Sequence, residues 1–106
     1  MIYFPSTKDP LAKALLTFDF TNTLATGETI ASVTSATVTT RSGSDSSPGS
    51  ILNGTNGSAS IDVTGKLVFI AVQGGTDGCD YAIKVLAQSS NPLKAPVIDG
   101  VLQVRT

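Results

Sequence analysis

The sequence predicts an all-β sandwich, and three observations carry that expectation. Thr, Ser, Val, Ala and Gly dominate the composition, and the β-branched Thr and Val suit a pleated surface. Glu, a favoured residue of exposed helices, occurs once, as Glu28. Short alternations of apolar and polar residues recur between Gly, Asn, Asp and Pro turn signals, with no helical stretch of useful length between them. A chain of 106 residues suits one domain with one ordinary core.

Residues 1–13 read as an extended N-terminal arm and residues 14–106 as the sandwich. In the arm, Pro5 and Pro10 block regular hydrogen bonding, and Asp9-Pro10 is able to cap a single helical turn. From about Ala14 the pattern is a strand, because Leu16, Phe18 and Phe20 alternate with Leu15, Thr17 and Asp19. Thr21 to Gly27 is a connection. Glu28 to Thr40 is β-rich, but Ile30 and Val38 share a parity that Val33 breaks, so a bulge is expected near Ser32–Ser35. Arg41 to Gly49 reads as a polar loop without fixed order, or as a weak edge hairpin.

A short strand is expected over Ser50 to Asn53, followed by turns at Asn53-Gly54 and Asn56-Gly57, where both residue types tolerate positive φ. Ser58 to Thr64 alternates, with Ala59, Ile61 and Val63 on one face. Leu67 to Gln73 is the most apolar stretch and reads as a strand covered on both faces. After the Gly74–Gly78 turn, Asp80 to Gln88 places Tyr81, Ile83, Val85 and Ala87 on one face. Val97 to Arg105, with Ile98, Leu102 and Val104 aligned, closes the fold. The sum is about seven antiparallel strands. Tyr81, three residues after Gly78 at the start of the penultimate strand, fits either a plain half-buried Tyr or the tyrosine corner of immunoglobulin-like sandwiches.

The chemistry-bearing residues are few. Seven Lys and Arg against eight Asp and Glu leave no basic surplus for nucleic acid. The absence of His removes the commonest general base and the commonest metal ligand. Cys79 is the one Cys, so neither an internal disulfide nor a thiolate metal cage is expected. It reads as a free, inert thiol, since nothing is placed to activate it. Asp77, Asp80 and Asp99 allow calcium or a glycosidase pair in principle, but Asp is also an ordinary turn residue, and that is the simpler account. Gly74-Gly75 lacks the Lys and helix of a phosphate loop. No catalytic residue, metal or cofactor is therefore expected. The opening residues lack the pattern of a secretory signal and the end lacks a lipidation motif. The longest apolar run, Leu67 to Val72, falls far short of the ~20 residues of a membrane-spanning helix.

The arm is the feature that invites a partner. Ile2, Tyr3 and Phe4 form an apolar trio that cannot fold alone, so it either covers its own sandwich or docks on another subunit. Lys8 and Asp9 are expected to fix the arm's exit.

Lys8-Asp9-Pro10, then Leu-Leu-Thr-Phe-Asp-Phe from Leu15 to Phe20, then Gly27-Glu28-Thr29-Ile30-Ala31-Ser32, resembles the opening of small immunoglobulin-like virion proteins of tailed phages. Ala71-Val72-Gln73-Gly74-Gly75-Thr76-Asp77-Gly78 leading to Tyr81, and the closing Val101 to Arg105, resemble their later strands. Together the segments span most of the chain, and their order is similar to that of the phage fibre–tail adaptor family. The chain departs from the pattern where the family carries Trp: Phe20 holds the first such position, and the second strand has no aromatic. Residues 41–58 are longer and more polar than the pattern expects.

The resemblance implies an immunoglobulin-like β-sandwich acting as a non-enzymatic structural component of the virion. It implies an adaptor at the tail or connector that attaches fibres or neighbouring tail proteins, made in the bacterial host cytoplasm. The expected partners are other virion proteins and further copies of the chain, with neither nucleic acid nor membrane. A head decoration protein uses the same physics, and a carbohydrate-binding module is the remaining alternative, disfavoured by the absence of Trp. The expected partner-binding residues are Ile2, Tyr3, Phe4, Lys8 and Asp9.

Overall fold

The computed structural model describes residues 2–4 and 7–106, and at Ile2 and Tyr3 the backbone alone. Pro5, one of the two arm prolines expected to block regular pairing, lies outside the described residues. The strands are β1 (Ile2–Tyr3), β2 (Lys13–Asp19), β3 (Ile30–Ser42), β4 (Ser60–Ile61), β5 (Leu67–Gln73), β6 (Asp80–Ser89) and β7 (Val97–Gln103). One sheet has the order β2-β5-β4 and the other β1-β7-β6-β3. Numbered from the first strand as A to G, these are B-E-D and A-G-F-C. That is the constant-type immunoglobulin order, except that the first strand has joined the opposite sheet.

The expectation of about seven antiparallel strands is corrected at that strand. Six strands pair antiparallel, whereas β1 runs parallel to β7, with Ile2 opposite Gly100 and Tyr3 opposite Val101. The arm and β7 meet without a hairpin, so nothing in the connection imposes an antiparallel approach.

The inner faces follow the period-two pattern. Leu16, Phe18 and Phe20 meet Val68, Ile70 and Val72 from one sheet and Tyr81, Ile83, Val85 and Ala87 from the other. Burying each large side chain of this kind contributes about 1.5–3 kcal/mol. The bulge expected in the second long strand is present, as register shifts between Ile30 and Ser32 and between Val33 and Ser35, with a third between Thr40 and Ser42. β5 is not covered on both faces. Val68, Ile70 and Val72 are buried while Leu67, Phe69 and Ala71 are only partly so, because β5 lies between β2 and β4 with one face outward.

Two expected strands are shorter or absent. Pro48–Ile51 forms a 3-10 turn in place of a strand over Ser50–Asn53, and only Leu52 makes a bridge, to Val72. Pro48 starts the turn and Ile51 plugs the core, so the apolar residue serves as a single anchor. Asn56 and Ser58 hold positive φ around Gly57, which packs so closely on Ile70 that a Cβ has no room. The Ser58–Thr64 alternation therefore survives only as β4. Beyond it, the Asp62 carboxylate accepts the Lys66 and Leu67 amides and the Thr64 hydroxyl, turning the chain and leaving Val63 fully exposed.

The Arg41–Gly49 segment is neither loose nor a hairpin. The Tyr81 hydroxyl accepts the Thr76 amide at 2.8 Å, which is the backbone bond of a tyrosine corner, and donates to Asp45 Oδ2 at 2.6 Å. Asp45 thereby ties its loop to the core, and its other oxygen accepts the Ser47 amide. Burial, and then the Asp45 bond, push the Tyr81 hydroxyl above its ordinary pKa, while the Tyr81 bond, and then the Ser47 amide, hold Asp45 below its own. Tyr81→Phe is expected to cost about 1–3 kcal/mol in urea unfolding, because the Thr76 amide and Asp45 lose their partner together.

Glu28 makes a second tie. Its Oε1 accepts the Ala25 amide and the Lys94 ammonium, and its Oε2 accepts the Ser89 hydroxyl, which joins the β2–β3 connection to the β6–β7 loop. These bonds, Lys94 foremost, hold the carboxyl pKa down at about 2 against an ordinary 4.5. A carboxylate with a depressed folded pKa stabilises the fold fully above the unfolded value and loses that contribution as pH falls through the folded one. Glu28→Gln should therefore flatten the fall in stability between pH 4.5 and about 2, followed by urea midpoints across that range.

Candidate docking surface

The described residues of the arm lie along its own domain. The Phe4 amide donates to the Val101 carbonyl at 3.1 Å, and the Phe4 ring stands edge-on to Phe18 with centroids 5.4 Å apart. Gly100 makes room for both rings, since a Cβ there would come within 2.8 Å of Phe4 and 3.1 Å of Phe18. Phe4 is thus a partial lid on the core. Ile2 and Tyr3 are placed by their backbone register on β7, and their side chains lie outside the described residues.

Lys8 is the arm's anchor. Its amide donates to the Gln103 carbonyl and its carbonyl accepts the Arg105 amide, each at 2.9 Å. Its side chain is buried, and the ammonium donates to the carbonyls of Gly74 at 2.6 Å and Asp9 at 2.9 Å. Burial lowers the Lys8 pKa, and the Asp9 charge partly offsets this. Asp9 is exposed. Its carboxylate accepts the Leu11 amide and its carbonyl accepts the Ala12 amide, so it caps a single turn around Pro10. That turn lifts Leu11 into solvent at 94% exposure. Of the five expected partner-binding residues, Phe4 and Lys8 therefore face the domain and Asp9 faces outward.

Between this arm and β2 runs a groove of about 470 Å³, walled by Phe4, Lys8, Ala14, Leu16 and Leu102. It has the place of the strand that pairs with the second strand in constant-type sandwiches. Sequence reasoning did not find this feature, because it comes from where the arm goes and not from any residue in β2. Leu11 was missed as well, although an apolar residue directly after Asp9-Pro10 is a readable sign of an exposed turn.

Of the other candidate groups, Cys79, Asp80 and Asp77 have structural work. Cys79 is buried, with its Sγ on the Ser44 carbonyl at 3.6 Å. Asp80 pairs with Arg105 at 2.8 Å, and Asp77 accepts the Thr106 amide. Asp99 lies opposite Lys84 on the outer face of the larger sheet. Among the described residues no three acidic or thiol side chains gather as a metal site.

If Lys8 anchors the arm, Lys8→Met should leave the sandwich folded and free the segment. Loss of a hydrogen bond from a charged group, about 1.5–3 kcal/mol, corresponds to roughly ten- to hundredfold faster exchange of the Phe4 and Lys8 amides. Hydrogen-exchange mass spectrometry over residues 2–9 checks this.

Residues 8–93 match the family model described as Podophage GP4 fiber-tail adaptor protein gp77. No curated protein matches the chain, and no solved structure does.

Proposed function

The chain belongs to the podophage GP4 fiber-tail adaptor family, and from that membership we propose that it joins a fibre, or a neighbouring tail protein, to the tail through its N-terminal arm. The family is one of phage tail structural proteins, and the family match over residues 8–93 carries the reading. The proposed contact segment is Ile2, Tyr3, Phe4, Lys8 and Asp9 on an arm of residues 1–13. Within it Phe4 and Lys8 hold the segment in place, while Asp9 and the Leu11 turn meet the partner. Mooring of this kind supports a docking role because an ordered segment loses little entropy on binding.

The proposed setting is the virion, assembled after synthesis in the host cytoplasm. The proposed partners are other virion proteins and further copies of this chain. The role needs no catalysis, cofactor, nucleic acid or membrane. A sandwich tied at two polar locks suits a part that transmits load between neighbours.

Complementation of a phage lacking this gene tests the arm. Leu11→Asp and Asp9→Asn leave the core residues in place, and the amide side chain still caps the turn. Particles carrying the two changes are expected to assemble with several-fold fewer fibres, counted by quantitative mass spectrometry, as loss of an interface anchor implies. Full fibre occupancy would remove the arm from the contact.

A further inference from the structure

β2 is the long regular edge of this molecule. The other sheet edges are blunted in ways natural proteins use against unwanted pairing. β4 and β1 are two residues each, and β3 carries three register shifts. β2 has seven residues paired with β5 in continuous register, without Pro or bulge.

Its hydrogen-bond phase is known. The Phe20 amide donates to the Lys66 carbonyl at 2.9 Å, one step beyond the Asp19–Leu67 pair. In an antiparallel ladder bonded and non-bonded pairs alternate. Phe18, Leu16 and Ala14 therefore turn their amides and carbonyls to β5, and Asp19, Thr17, Leu15 and Lys13 turn theirs away. Bonds on the far side of β5 agree, since Leu67 accepts the Asp62 amide and Ala71 the Asn53 amide. Among the described residues no backbone group reaches the outward amides and carbonyls of β2 from across the groove.

We infer that β2 pairs with β2 of a second copy of this chain, antiparallel about a two-fold axis at Leu16, joining two three-stranded sheets into one. A free row of amides and carbonyls is satisfied by another strand. What selects a second copy is the self-complementarity of Lys-Ala-Leu-Leu-Thr-Phe-Asp. With Leu16 opposite itself, Lys13 lies opposite the partner's Asp19, Leu15 opposite the partner's Thr17, and Ala14 opposite the partner's Phe18. All the outward-bonding residues then meet outward-bonding residues, so the ladder is in phase over the whole strand. Shifting the centre to Leu15 or Thr17 keeps the phase and loses both charge pairs.

The ends are prepared for this pairing. Lys13 and Asp19 stand about 20 Å apart on one strand, too far to meet within one copy. Lys13 is exposed and has no acidic partner among the described residues. Asp19 is exposed, and its Oδ1 is held by the Thr21 amide and hydroxyl, which leaves Oδ2 for a cation. Leu15, 62% exposed, sits diagonally opposite its own symmetry mate, beside the outward-facing Phe69 and Ala71. An isologous contact of this kind closes on itself. The pairing does not rest on the adaptor role, and it is read on the purified protein.

Sedimentation velocity over a concentration series to the high micromolar range tests it on the full chain. The native protein is expected to dimerise. Lys13→Glu and Asp19→Lys should each weaken the dimer about tenfold or more, because two attractive pairs become repulsive. The double variant carries Glu opposite Lys and should recover native association. Leu15→Pro removes an outward amide, which an edge strand tolerates without unfolding, and should leave a folded monomer by circular dichroism. A native protein that stays monomeric throughout overturns the inference, including the case where Leu15→Pro instead blocks entry into particles through a different protein's strand. A dimer indifferent to Leu15→Pro, or not restored by the double reversal, overturns it equally.

Discussion

Lys8 is bonded through its amide to the last residue of β7 and through its carbonyl to Arg105 just beyond it, and its ammonium is spent on two carbonyls, one of them in the Gly74 turn. This anchorage decides the open side of the molecule. With Lys8 held at β7, Ile2 and Tyr3 run parallel to β7, Phe4 reaches the core beside Phe18, and Gly100 leaves space for both rings. The residues after it turn at Asp9 and enter β2, which has β5 on one side and, among the described residues, no strand on the other. A buried ammonium is costly unless its donors are satisfied, so the two carbonyls make the position specific as well as stable.

The rest of the sandwich is held by polar ties at its loops, on top of an ordinary apolar core. Tyr81 and Asp45 bind the long polar loop to the β5–β6 corner, and Glu28 binds the loops at the opposite ends of β3 and β6. Each tie gathers loops far apart in sequence around one side chain. In a chain with few charged residues, Asp45 and Glu28 are taken up in these ties, while Asp9, Lys13, Asp19, Asp77 and Lys84 stay exposed.

Much of this was legible beforehand. β2, β3, β5, β6 and β7 follow period-two patterns between turn signals, and the Val33 break in parity announced the bulge in β3. The tyrosine corner was readable from Gly78 and Tyr81 as one of two alternatives, and the hydroxyl geometry decides it. Three of the errors share one cause. Ser50–Asn53, the Val63 end of the fourth strand and the outer face of β5 were judged from local apolar content, whereas what decided them was whether a neighbouring strand was present to pair with or cover them.

The alternation of small β-branched and apolar residues and the turn dipeptides by themselves determined an all-β sandwich and most of the side chains that fill it, because those signals are local. Which edge the arm would join, and hence that β2 would be left open, was decided by the tertiary structure alone. Parallel pairing with β7 leaves no mark in the arm's own residues, and it is settled by where Phe4 finds a cavity and Lys8 finds two carbonyls once the sheets have closed.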